Sequence, residues 1–382
     1  MKKRHLFFYW LLVPLTTLFA RIKFGYTYEK AKNLPENYIV LSNHLTDYDM
    51  LFVGASFRRQ MYFVASEHIA RWKFLHWFLE FAFAPIWRYK GSVASSTVLD
   101  ILRKVKKGEN VAIFAEGVRS WDGRSSPILP STGKMVKKAG CGLVTYKIIG
   151  GYFASPMWSS SNTRRGHVHG APVNVYTAEH LKAMTVDEIN EAIRRDLWED
   201  AYERQLQDPK PYKGKRLAED METLLFVCPK CGQMETLRSR DDTVTCEACG
   251  WSFRMDSCGM LSDSRFPTVR DLADWQKEQV SLHAKQNTAY TTVYGELITV
   301  DNHIETPVTS GPVYMDNSVL RCGEKEFSVD TISELAMHGR MALVFTAGKE
   351  YYELLPQKGT NAIKYMLYYN ALKAREQSLE ET

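Results

Sequence analysis

Three groups of residues in this 382-residue chain have types and spacings that could do chemistry. The first, Asn43-His44-Leu45-Thr46-Asp47-Tyr48-Asp49, sets a histidine five positions ahead of a carboxylate. On one continuous helix that offset is roughly 140° of rotation, so the two would face apart. They meet only if His44 sits on the loop after a strand and Asp49 lies in the first turn of the next helix. Asp49 would then accept from one ring nitrogen, fix the tautomer and leave the other nitrogen as a base. The second group is Phe114-Ala-Glu-Gly-Val-Arg-Ser120, in which a strand-like run leads straight into Glu116 and Gly117. Gly117 lets a substrate approach the backbone closely, and Arg119 offers a planar donor fork for a phosphate. Arg88, after the apolar run Ala84-Pro-Ile-Trp, adds a second cation. Each of these charges could equally serve a structural salt bridge. The third group is Cys228-Pro-Lys-Cys231-Gly and Cys246-Glu-Ala-Cys249-Gly, two pairs with 14 residues between them. Four thiolates so arranged complete a tetrahedral site, and the short polar stretch between the pairs suits a zinc ribbon with structural Zn2+. Two matched pairs without a thioredoxin-like context argue against a redox role.

These groups need elements to position them. Tyr38–Leu41, Met61–Ala65, Val111–Phe114, Leu143–Ile149 and Val168–Val175 read as buried strands. Helices are expected at 49–57, 95–107, around 134–138 and across 185–207, the last opened by a Thr185/Glu188 capping box. Strands alternating with helices over 26–208 predict an α/β domain. The stretch 67–83 carries Trp72, Phe74, Leu75, Trp77, Phe78, Phe81 and Phe83, expected mostly as core, with an acyl-chain groove or lipid contact as the alternative. A linker (209–221), the ribbon (222–258), a helical connector (259–287) and a β-rich module with one terminal helix (288–382) follow. Several antiparallel strands and a closing helix resemble a pleckstrin-homology-like or GRAM-like module.

Charge and the N-terminus narrow the setting. Residues 1–150 carry 23 Lys/Arg against 10 Asp/Glu, while 151–382 carry 26 against 34. A basic first half points to an anionic partner, whether phosphate esters, nucleic acid or a membrane surface. The ribbon region is net acidic and offers no basic stripe, which argues against nucleic acid. Seven cysteines, four of them in the two pairs, suit a reducing compartment and hence the cytoplasmic side. In the first segment (1–25), Leu6–Ala20 is fifteen residues without a charge, about 22 Å as a helix. That falls short of the roughly 30 Å hydrocarbon core. With Pro14, flanking cations and Phe7, Phe8, Tyr9, Trp10 and Phe19, the segment fits a peripheral helix in the membrane interface better than a span or an ordinary core helix.

The first two motifs, in this order, resemble the glycerolipid acyltransferase superfamily, most closely the 1-acyl-glycerol-3-phosphate (lysophosphatidic acid) acyltransferases. Those enzymes carry Asn-His-x4-Asp, a strand ending in Arg, Phe-Pro-Glu-Gly-Thr-Arg-Ser and an apolar block with Val-Pro. The resemblance covers about residues 26–208. It implies acyl transfer from a thioester, acyl-CoA or acyl-carrier protein, to a free glycerol hydroxyl of lysophosphatidate or a related acceptor. It matches His44 and Asp49 to the catalytic pair, and Arg88, Glu116, Gly117 and Arg119 to acceptor binding. The departures are Ala115 for Pro, Val118 for Thr, Ser66 where many members have Lys, and no Val-Pro in Leu143–Ile149. Arg71 or Lys134 could replace the missing lysine. Glycerol 3-phosphate or another lysolipid is the alternative acceptor. A zinc-ribbon interaction or nucleic-acid protein with a degenerate first domain is the rival class. No nucleophilic Ser or Cys elbow supports a hydrolase.

Overall fold

Tyr38–Ser42 is a run of five residues with every side chain buried, the signature of a strand covered on both faces. It is the centre of the first of two compact units, residues 1–157 with 161–215. The second comprises 158–160 with 216–382. The structure, a computed structural model, describes residues 3–66, 73–88, 95–160, 163–262, 264–301, 304–357 and 360–380.

The first unit runs α1 (Lys3–Phe24), β1 (Thr27–Tyr28), β2 (Tyr38–Ser42), α2 (Asp49–Ser56) and β3 (Met61–Ser66). Then come α3 (Lys73–Ala82), β4 (Ile86–Arg88), α4 (Ser95–Lys106), β5 (Asn110–Phe114), α5 (Ser131–Ala139) and β6 (Gly142–Ile149). It closes with β7 (His169–Tyr176), α6 (Ala178–Ala183), α7 (Val186–Leu197) and α8 (Ala201–Gln207). The sheet order is β1-β7-β6-β2-β5-β3-β4. All neighbours are parallel except β6 and β7. One face packs Ile39, Leu41, Val111 and Leu143 against Ile101 and Val105 of α4, Val136 of α5 and Ile189 and Ile193 of α7. On the other, Phe24 of α1 and Phe52 of α2 meet edge to face at 5.5 Å. The register sets Ser42 beside Phe114, so the loops leaving β2 and β5 emerge together. The chain passes from β5 to β6 across β2. This makes the carboxyl ends of these strands the crevice where open α/β sheets place ligands.

Three expectations need correcting here. α1 extends past the uncharged run at both ends to 22 residues, about 33 Å, because Lys3, Arg4, Arg21 and Lys23 are good helix formers. By length and composition it is long and apolar enough to cross a membrane, so length no longer excludes a span. His5, Tyr9, Thr17, Ala20 and Phe24 form its buried stripe, while Phe7, Trp10, Leu15, Leu18 and Ile22 are exposed. The aromatics of α3 are not mostly core. Phe74, Trp77 and Phe81 share one face at helical spacing and are 78%, 57% and 38% exposed. Phe81 meets Phe8 of α1 at 5.6 Å between ring centroids, joining the two exposed faces. The single helix expected over 185–207 breaks at Trp198–Asp200, where the Asp200 side chain caps α8 by accepting from the amides of Tyr202 and Glu203. The capping box at Thr185 and Glu188 is present. Trp72 lies outside the described residues, as does Arg71.

In the second unit β8 (Leu237–Arg240), β9 (Thr243–Cys246), β10 (Ser252–Met255) and β11 (Leu261–Ser262) form a four-stranded antiparallel sheet. The long helix α9 (Val269–Lys285) follows. Then β12 (Tyr290–Asp301), β13 (Ile304–Met315), β14 (Val319–Cys322), β15 (Lys325–Ser328), β16 (Ile332–His338), β17 (Ala342–Ala347) and β18 (Glu350–Pro356) form a seven-stranded sheet. Its order is β15-β14-β13-β12-β18-β17-β16, antiparallel throughout, and α10 (Ile363–Glu380) closes the chain. These pieces are stitched together by buried polar side chains. Gln276 of α9 accepts from the amides of Phe226 and Val227 at 2.7 and 3.1 Å. Lys364 of α10 reaches Glu235 at 2.6 Å and the Thr291 carbonyl at 2.5 Å. The boundary between the two units, at 215/216, falls inside the expected linker 209–221, and side chains on either side of it are packed. Tyr212 is buried in the first unit and donates to the His167 carbonyl at 3.1 Å, while Ala218 and Met221 are buried in the second. These apolar side chains are the ones a Pro/Lys/Gly-rich reading overlooks.

Candidate active site and metal centre

β2 ends at Ser42 because the next side chain takes over its ladder. Asn43 donates to the Ile148 carbonyl and accepts from the Ile148 amide, both at 2.8 Å. A carboxamide supplies one donor and one acceptor at the right reach, so the pairing with β6 continues while the backbone turns away. His44 is thereby on a loop, and α2 begins at Asp49. The two side chains meet: His44 Nδ1 lies 2.8 Å from Asp49 Oδ2. Asp49 is 1% exposed and is further held by the amides of Leu45 (2.6 Å) and Thr46 (3.0 and 3.1 Å) and by the Thr46 hydroxyl (2.7 Å). The His44 ring stacks on Phe114 at 4.6 Å and 19°. Its side chain is 22% exposed, and Nε2 has no hydrogen-bond partner among the described residues. One nitrogen is fixed and the other is open, the arrangement a general base requires.

The loop after β5 grips the His44 peptide from the other side. Glu116 Oε1 accepts from the His44 amide at 3.1 Å, and the Ser120 amide donates to the His44 carbonyl at 3.2 Å. The second Glu116 oxygen accepts from the Ser126 amide at 2.5 Å. Burial pushes the Glu116 carboxyl up to about 8, against the backbone bonds from Ser126 and His44 that favour its charged form. Glu116, expected at the acceptor, instead spends both oxygens on backbone amides. Its geometry is that of a positioning group for His44. Gly117 adopts φ +68°, and a Cβ there would come within 3.0 Å of Arg88 Nη1. The missing side chain therefore lets the exposed Arg88 lie across the loop. Arg119 is nearer to saturation than expected. Nε donates to the Leu45 carbonyl at 3.1 Å, Nη1 to Asp47 at 2.9 Å, and Nη2 to the Ser155 carbonyl at 2.5 Å and hydroxyl at 3.3 Å.

His44, Asp49, Arg88, Glu116, Gly117 and Arg119 are thus brought around the ends of β2, β4 and β5. Sequence reasoning passed over Asn43, Asp47, Phe114, Ser120 and Ser155. The first four stand inside or beside the two motifs and were readable from adjacency. Nothing local marks Ser155. Gly151 is also close-packed: a Cβ there would lie 2.9 Å from Leu45 Cβ.

In the second unit the Sγ atoms of Cys228, Cys231, Cys246 and Cys249 lie within 4.8 Å of one another. Cys228 to Cys249 and Cys231 to Cys246 are each 3.8 Å. Zn–S bonds of about 2.3 Å in tetrahedral geometry put sulfurs about 3.8 Å apart, so the donor set fits a metal of that size. The two knuckles repeat one turn: Gly232 and Gly250 take φ +73° and +70°, and their amides donate to the carbonyls of Cys228 and Cys246 at 2.9 Å. Thr236 Oγ1 lies 3.2 Å from Cys246 Sγ.

Comparison with known proteins follows the same division. Residues 25–149 match the family model Acyltransferase. No curated protein matches the chain. Among solved structures, the chain is similar to the crystal structure of the 1-acyl-sn-glycerophosphate (LPA) acyltransferase PlsC from Thermotoga maritima. The two are 18% identical over 52% of this chain and 80% of that one, with a TM-score of 0.41. The stretch that matches the Acyltransferase family model holds β2, β5 and the loops that follow them, and with them His44, Asp49, Glu116, Gly117 and Arg119.

Proposed function

We propose that this chain transfers an acyl group from a thioester, acyl-CoA or acyl-carrier protein, to the free hydroxyl of 1-acyl-glycerol-3-phosphate, giving phosphatidate. The observation that carries the reading is the His44–Asp49 pair at 2.8 Å with its second ring nitrogen open, inside the segment that matches the acyltransferase family. His44 Nε2 takes the proton of the acceptor hydroxyl as its oxygen attacks the thioester carbonyl. The new C–O bond forms, the C–S bond breaks, and the imidazolium returns its proton to the departing thiolate. Asp49 holds the tautomer and offsets the imidazolium charge, the part a carboxylate plays in hydrolase triads. Arg88 and Arg119 face the acceptor phosphate and convert binding into orientation. Glu116 acts one step back, through the His44 peptide.

The four cysteines would hold structural Zn2+, which supplies folding free energy to the ribbon and takes no part in acyl transfer. The exposed aromatic face of α1 and α3, with Arg4 over Phe81 at 4.8 Å and Arg21 over Tyr28 at 5.6 Å, supports contact with a membrane; we propose a peripheral seat, on the cytoplasmic face. An antiparallel seven-stranded sheet closed by a terminal helix supports a pleckstrin-homology-like or GRAM-like reading of residues 288–382.

The test is transfer of labelled acyl groups to lysophosphatidate from both donors, with glycerol 3-phosphate and other lysolipids in parallel. Activity should be lost in His44→Ala while melting stays cooperative. Retained activity in that variant would sink the assignment.

A further inference from the structure

Arg119 has five N–H donors in one plane, and its contacts divide unequally. Three go to groups fixed by packed backbone: the carbonyl of Leu45, and the carbonyl and hydroxyl of Ser155. The fourth goes to Asp47, whose side chain is 74% exposed while that of Arg119 is 10% exposed. The Nη1 edge is therefore the one a dissolved anion can reach, and Asp47 already sits on it. Arg119 Nε is held on the carbonyl of Leu45, the residue after His44, so an anion bound on the Nη1 edge lies against the loop that carries the candidate base.

We infer that Asp47 is a built-in, displaceable anion in the acceptor's phosphate site. It occupies the open edge of Arg119 when the site is empty and gives way to a phosphate monoester. The acceptor's identity rests on the acyl-transfer reading above; the occupancy of Arg119 does not. An exposed carboxylate on a guanidinium is a weak partner, and a phosphate brings more charge and a third oxygen to the same edge. The displaced carboxylate stays nearby and repels the newcomer, so Asp47 weakens all anions at this edge. A ligand with further contacts overcomes that penalty; free inorganic phosphate does so least. Asp47 is in this sense an affinity-setting residue.

The experiment is calorimetric titration of the full chain with glycerol 3-phosphate and, separately, inorganic phosphate, in wild type, Asp47→Asn and Asp47→Ser. Both variants should bind both anions about fivefold more tightly (about 1 kcal/mol). The KM for lysophosphatidate should fall by a similar factor. Unchanged or weaker binding in the variants overturns the inference, because Asp47 would then be a partner that preorganises Arg119. Wild type and variants that bind neither anion overturn it as well. Tighter anion binding in the variants without any acylation of lysophosphatidate would uphold the site and reject the acyl-transfer reading. Acylation with unchanged anion binding would do the reverse.

Discussion

Replacing Asp49 by asparagine keeps the shape of the side chain and removes its charge, which separates the two jobs assigned to it. The carboxylate accepts from His44 Nδ1, from the amides of Leu45 and Thr46, and from the Thr46 hydroxyl. Asparagine has one acceptor oxygen and an NH2 group. If the oxygen takes the Oδ2 position, the bonds to His44, Leu45 and Thr46 survive, and Thr46 Oγ1 must turn to accept. Stability then falls by about 1–3 kcal/mol, a drop in Tm of roughly 2–10 °C for a unit of this size. The imidazolium loses its counter-charge. Two unit charges about 4 Å apart near a protein surface interact by about 4 kcal/mol, so kcat falls about a thousandfold. If the amide turns the other way, its NH2 faces His44 Nδ1, the ring proton moves to Nε2 and the base is lost altogether. Either orientation predicts a large fall in kcat with little change in KM. Initial rates of thiol release with lysophosphatidate, alongside a melting curve, test this. An Asp49→Asn protein that melts like wild type and keeps kcat within tenfold refutes the general-base reasoning.

Four further outcomes are expected. Gly117→Ala adds a Cβ at φ +68° and 3.0 Å from Arg88 Nη1, which costs about 1–2 kcal/mol of stability; it should raise the acceptor KM severalfold, and an unchanged KM would separate Arg88 from acceptor binding. Burial lifts the Glu116 carboxyl from 4.5 to about 8. Its contribution to folding is therefore full below about pH 4.5 and is lost as pH rises through about 8. The Tm of Glu116→Gln relative to wild type should climb between pH 5 and 8.5, and a flat or opposite trend contradicts burial as the dominant cause. Purified protein should carry one zinc per chain by elemental analysis. Chelation or Cys246→Ser should remove it and lower Tm by several degrees, whereas full metal content in Cys246→Ser contradicts the four-thiolate site. Phe74→Asp with Trp77→Asp changes two exposed residues and should leave melting intact. It should cut co-sedimentation with anionic lipid vesicles more than tenfold, given roughly 1.5–3 kcal/mol for each side chain buried in lipid; unaltered vesicle binding removes α3 from the membrane face.

The meeting of His44 and Asp49 is legible in the sequence because its two requirements are local. An all-apolar run must stop before His44, and a helix must start at Asp49. The fate of Arg119 is not legible, since its partners Leu45 and Ser155 lie 74 and 36 residues away and are chosen by the packing of three loops. Phe74, Trp77 and Phe81 show the opposite difficulty. Their spacing declares a common face, but composition does not say whether anything covers it. The extent of α1 was obscured because its terminal Lys and Arg residues end the apolar run without ending the helix. The break at Trp198–Asp200 carries no Gly or Pro, and its only marker is the capping carboxylate of Asp200. In the second unit β16 breaks strict alternation at Ser333 and Glu334, both exposed, where its ladder with β17 shifts register.

The grip on the His44 peptide has a consequence for how the site comes into being. Glu116 reaches it across 72 residues, Arg119 holds the following carbonyl across 74, and Asn43 bonds Ile148 across 105. None of these bonds can form early by local collapse, because each requires closure of a long loop. None can outlast the opening of the sheet that carries both loops. During refolding, the histidine acquires its orientation only when β2, β5 and β6 are already side by side. The appearance of activity would then mark completion of the first unit, and its loss on gentle heating would mark the first separation of β5 from β2.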